Sequence, residues 1–329
     1  MEFKISRREF LTFCSGALLM NLNSLGIGAS LTDKRGIVVV ARNDKVQNNK
    51  NEINADVLSS MLQRSMQKLI GTNKAQEAWG KLFTKEDRVG IKVNCLASPK
   101  LSPKPHLINA IVNGLKLAGV KEENILIWDR SNSELERGGF KINTSSKGVK
   151  CFGTDAIEGG GFEQELTSSD SITTCLSMIL TKFCTALINV GVLKDHDIAG
   201  VGAAMKNLYG VIHNPNKYHD NNCNPYLADL CNMPELRNKL RLNICDGLIA
   251  QYNGGPAFKP QWSWNFNGII VAQDIVAIDS VVYKIIEDKR KMQKMPSLKE
   301  EKREPTWLKT ADNYGIGISD LNKINLIEL

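Results

Sequence analysis

Lys194, His196, Lys206 and Asn207 fall within fourteen positions of one another, in the stretch Leu187 to His213 that reads LINVGVLKDHDIAGVGAAMKNLYGVIH. Lysine supplies a point charge for an anion and, when desolvated, a base or a nucleophile. Histidine between Asp195 and Asp197 would have its charged form favoured by the flanking carboxylates and serve acid–base chemistry. A second group, Lys92 and Asn94, precedes a proline-rich loop through Pro99, Pro103 and Pro105. A third comprises Asp246, suited to orient a cation or a substrate hydroxyl, and the Gly254-Gly255-Pro256 loop. Three lysines with the amide donors of Asn94 and Asn207 suit a small anion such as a phosphate or carboxylate. The bland alternative leaves each lysine on the surface, paired with its own Asp or Glu.

Positioning these groups requires strand ends. The apolar run Ala186 to Leu193 is bounded by polar residues and predicts a buried strand with Lys194 to His196 at its end. A Gly- and Ala-rich helix over Ala199 to Tyr209 would then carry Lys206 and Asn207. Strands are predicted at Ile37 to Ala41, Val89 to Val93, Ile125 to Trp128, Leu242 to Cys245 and Gly268 to Val271, with an edge strand at Ile324 to Leu329. Helical spacing spans Ala55 to Ile70 and His106 to Ala118, and Asp274 suits a helix start. The alternation implies an α/β fold, a mostly parallel sheet with helices on both faces. Ligands of such sheets bind outside the carboxyl ends of the strands. The charged segment Lys284 to Glu304 reads as an exposed helix and loop.

These stretches resemble the domain of unknown function 362 family. A strand ending Lys-x-His followed by a helix ending Lys-Asn-x-x-Gly is matched by Lys194, His196, Lys206, Asn207 and Gly210. Asn243 to Leu248 with Gly254-Gly255-Pro256, and the Asp-x-x-Ala-x-Asp pattern of Asp274, Ala277 and Asp279, extend the likeness. Many relatives carry a ferredoxin-like module and iron–sulfur clusters. This chain has eight cysteines but no Cys-x-x-Cys, so the cluster is not carried over. The resemblance names no substrate and no cofactor.

A single metal ion has a candidate set in His213, His219 and Cys223, with His196 and His213 the better ligands, although the spacing matches no standard zinc pattern. Cys95 and Cys245 read as small apolar residues buried in strands. Ser6-Arg7-Arg8-Glu9-Phe10-Leu11, the apolar stretch Phe10 to Met20 and the small residues Gly26 to Ser30 look like a twin-arginine export signal. That divides the chain into a leader at 1–30 and one α/β domain at 31–329, working in the periplasm or another extracytoplasmic space. The other reading of the leader is a short amphipathic helix. The apolar run falls short of the roughly 20 residues a membrane span needs, and no second run reaches that length.

A net charge of +7 with interspersed acids and few aromatics gives no basic stripe for nucleic acid. Two functions stay open from these residues: an enzyme acting on, or redox-linked to, a small anionic molecule, and a non-catalytic accessory protein delivering a ligand or cofactor to an envelope redox complex.

Overall fold

Runs of Val, Ile and Leu form the central strands because both their faces are covered and the pleat sends alternate side chains to opposite cores. The computed structural model describes residues 4–15, 36–97 and 99–329. Its strands are β1 (Ile37–Arg42), β2 (Val89–Lys92), β3 (Ile125–Trp128), β4 (Lys150–Cys151), β5 (Thr167–Ser169), β6 (Ile172–Thr174), β7 (Ala186–His196), β8 (Gly200–Val201), β9 (Leu240–Gln251), β10 (Ser263–Trp264), β11 (Gly268–Ala272) and β12 (Asn325–Glu328). The main sheet runs β12-β1-β11-β9-β7-β2-β3-β4, with β8 on β7 and β10 on β9. Only β11 runs against its neighbours along that path, so the sheet is mixed and mostly parallel.

Along β7, Leu187 and Leu193 join one core, while Ala186, Ile188 and Val190 join the other. The helices Ala55–Ile70 and Pro105–Leu117 cover the second face, and Ile275–Met292 with Trp307–Asn313 covers the first. Ala55–Ile70 starts on the Asn54 side chain, which accepts from the Val57 amide, and stops at Gly71 with φ of 71°. The expected α/β class, with helices on both faces, is what the chain adopts.

Two strands are longer than their apolar runs. β7 continues through Lys194, Asp195 and His196, and β9 continues through Asp246 to Gln251. These polar residues lie inside strands because each finds a partner there. The helix expected over Ala199 to Tyr209 is instead a hairpin return, β8, followed by the single turn Ala204–Asn207 and a 3-10 turn, Leu208–Val211. Gly200 sits at φ of 77°, a left-handed turn conformation that breaks a helix there.

At the N-terminus, Arg7–Ser15 is a helix opened by a capping box: Ser6 Oγ accepts from the Glu9 amide at 3.1 Å and Glu9 Oε2 from the Ser6 amide at 2.9 Å. Its Phe10 is fully buried, edge-on to Phe152 at 6.5 Å, and Ile5 bridges Ile157. The rest of the predicted leader, including Gly26 to Ser30, lies outside the described residues. Among the described residues no helix is long and apolar enough to cross a membrane.

Candidate functional site

β2 continues through its helix to β3 on one side, whereas β7, on the other side of β2, continues to β9. The winding direction therefore reverses between β2 and β7, and a crevice opens at the carboxyl ends of two strands that diverge there. A cavity of about 550 Å³ occupies that place. Lys92, Asn94, Lys194, His196, Lys206 and Asn207 all line it, so six of the residues picked from the sequence converge. Asp129, Arg130, Tyr209, His219 and Pro256 complete much of the wall.

The floor is a buried polar lattice. Lys92 Nζ donates to Asp129 Oδ1 at 2.7 Å, Asn207 Oδ1 at 2.9 Å and the Val93 carbonyl at 2.6 Å. Asp129 also accepts from the Cys95 and Arg130 amides. The Asn207 amide donates to Asn189 Oδ1 and the Lys92 and Val190 carbonyls, and Asn189 donates on to Asn243. With its charge and donors matched, Lys92 holds the site together and has nothing left to offer a ligand. Gly210 is required above it, because a Cβ there would stand 2.6 Å from Lys92 Nζ.

Asp279, from the helix on the far face, accepts from the Ala204 and Met205 amides at 2.7 and 2.8 Å, and burial pushes its carboxyl up to about 7. It therefore caps the short turn that presents Lys206 and Asn207. Asp279→Ala orphans both buried amides and is expected to cost about 2–4 kcal/mol in urea unfolding, with unchanged stability as the contrary result.

Lys194 and Lys206 differ from Lys92. Lys194 is 1% exposed and its Nζ reaches Asn94 Oδ1 at 3.3 Å. Lys206 Nζ lies 3.0 Å from His219 Nε2 and 4.0 Å from the Tyr209 ring centroid. Among the described residues neither lysine forms an ion pair with a carboxylate. Burial pushes both ammonium groups down to about 8.

His196 corrects the expectation of a charged imidazole. Its Nδ1 accepts from the Ile198 and Ala199 amides at 3.2 and 3.3 Å, which puts the proton of a neutral ring on Nε2. Burial first, then the Lys206 charge, His219 and further cations, push it down to about 2. Asp197 Oδ1, 3.1 Å from that nitrogen, therefore faces a neutral ring. Asp195 turns away, to Arg303 Nη1 at 3.0 Å and the Gly255 amide at 2.9 Å.

Three further residues picked from the sequence stand apart from the cavity. Asp246 is buried in β9, accepting from the Lys104 and Leu248 amides, so it ties the proline loop to the sheet. Gly255 packs so tightly that a Cβ would lie 2.1 Å from the Asp195 carbonyl, and one on Gly254 would meet the Trp262 ring at 2.5 Å. These glycines seat the loop, and Pro256 is the residue that borders the cavity. The helix N-terminus expected at Ala199 is the hairpin turn that His196 caps.

The metal set does not assemble. His213 is exposed, and its Nδ1 accepts from the Cys175 amide. Among the described residues no three His, Cys, Asp or Glu groups are placed to hold an ion. Cys95 and Cys245 are fully buried, their thiols pushed up by burial.

Asp129, Arg130 and Arg303 were missed. Asp129 and Arg130 follow the apolar run of β3, the same strand-end signal that marked Lys92. Arg303 had none, since its partner Asp195 is 108 positions away.

Residues 89–284, more than half of the chain, match the family model described as Domain of unknown function (DUF362). The chain belongs to this family. The DUF362 match contains Lys92, Asp129, Lys194, Lys206, Asn207, His219 and Asp279, and leaves out Arg303. No curated protein matches the chain.

Proposed function

We propose that this DUF362 protein binds a small anionic molecule in the cavity at the β2/β7 switch point. The observation that carries the reading is the pair Lys194 and Lys206, one fully buried and one half-buried cation lining one cavity without a carboxylate partner among the described residues. Burying an unpaired charge is costly, and an incoming carboxylate, phosphate or sulfate would supply the missing countercharge. Arg130, donating to the His213 carbonyl from the cavity wall, adds a planar cation for the same group. The leader motif Ser6 to Leu11 supports export by the twin-arginine route to the periplasm. Buried, high-pKa thiols suit that oxidising space, being poor nucleophiles.

The pH dependence follows. Lys194 feels Asp129, Cys95, Asp195 and Cys245; Lys206 feels Cys223, Lys194 and Asp197 and touches His219. Both lysines sit near 8, so their charge is present at neutral pH and fades as pH rises through about 8. Sulfate, which keeps its charge across this range, is expected to bind by calorimetry at about pH 7 and to weaken on the order of tenfold or more by about pH 9.5. Sulfate binding that is absent at neutral pH, or flat with pH, would sink the reading. Turnover of a bound anion then separates an enzyme from an accessory protein that delivers its ligand to an envelope redox complex.

A further inference from the structure

Lys206 has a geometry that electrostatic binding alone does not require. The His219 Nδ1 lies 3.0 Å from the Pro215 carbonyl, an acceptor only, so Nδ1 carries the ring proton and donates it. Nε2 is then the lone-pair nitrogen, and it faces Lys206 Nζ at 3.0 Å. An amine, a base within hydrogen-bond reach and a carbonyl fixing the tautomer of that base form the arrangement by which nucleophiles are activated. The Tyr209 ring under Nζ and the His196 ring 5.8 Å from His219 close the surroundings, while the cavity leaves an approach to the amine.

We propose that Lys206 is a catalytic nucleophile that forms an imine with the carbonyl of a small oxo acid, with His219 as its base. The proposal rests on the anion-binding reading, since Lys194, Asn94 and Arg130 would hold the substrate's carboxylate. In the step, the Lys206 ammonium gives one proton to His219 Nε2 and the free amine adds to the carbonyl carbon. After proton transfer within the carbinolamine, its hydroxyl leaves with the proton returned from His219. One C=O bond is replaced by one C=N bond and one water is released, with no change in oxidation state. The low basicity of Lys206 leaves an appreciable fraction as free amine near neutral pH.

The test is borohydride trapping of the full chain with pyruvate and, separately, glyoxylate, read by intact mass and peptide mapping. The expected result is one adduct per chain, of the probe's mass less one oxygen, on Lys206 and absent in Lys206→Arg. His219→Gln should slow trapping on the order of a hundredfold at neutral pH, with the deficit shrinking as pH rises and the amine deprotonates unaided. Protein that binds sulfate yet traps neither probe at Lys206, or labels equally in Lys206→Arg, overturns the imine and leaves anion binding standing. Loss of sulfate binding as well removes both.

Discussion

Lys92→Met is expected to destabilise the folded protein by about 3–5 kcal/mol, the cost of breaking a buried ion pair by removing one partner. The side chain it deletes is 1% exposed and makes the 2.7 Å pair with Asp129, itself 4% exposed. Asp129 would keep two backbone amides but lose the cation paired with it, and Asn207 Oδ1 would lose its donor. Urea unfolding measures the loss as a lower midpoint at unchanged slope. Lys92→Met combined with Asp129→Asn should recover part of it, because the stranded charge is then gone. A single variant within about 1 kcal/mol of wild type would show that the pair is not the keystone of the cavity floor.

Lys194→Met is expected to do the opposite to stability. Among the described residues no carboxylate forms an ion pair with it to relieve its burial, so a Met of similar length should leave the protein as stable as before or more so. Sulfate affinity should fall on the order of 10- to 100-fold, the worth of a hydrogen bond to a charged group. The pH profile gives a second reading. A lysine whose folded value is lowered to about 8 weakens the fold while protonated, so stability should climb as pH rises from about 8 toward the ordinary lysine value near 10.4. That climb should shrink in Lys194→Met, with the Lys206 share remaining. A variant that is destabilised yet binds sulfate normally would reverse the assignment and make Lys194 structural.

The strand cores were legible because their apolar runs need no partner to be recognised: Ile125 to Trp128 was read with its observed limits. The ends of β7 and β9 were not, since Lys194 and Asp246 look like surface residues until their partners are in place. Nor could spacing separate Lys92 from Lys194, two buried lysines of opposite role, because the difference is the presence or absence of one carboxylate. The segment Lys284 to Glu304 misled for the same reason. Its charge suggested solvent, yet Arg290 is fully buried and pairs with Glu301, and Arg303 reaches Asp195 and Asn253.

The reach of Arg303 has a bearing on when the protein becomes competent. Its guanidinium holds Asp195 and the carbonyl of His196, the two residues leading into the hairpin turn at the mouth of the cavity. The first cavity residue, Lys92, is made more than two hundred positions earlier, and β1 waits still longer for β12. During synthesis the earlier elements can pair while the wall beside His196 stays unpinned, so contacts of this separation close late. If the leader does direct export of a folded chain, the cavity is finished in the cytoplasm, where any ligand present at that moment has the first opportunity to be enclosed.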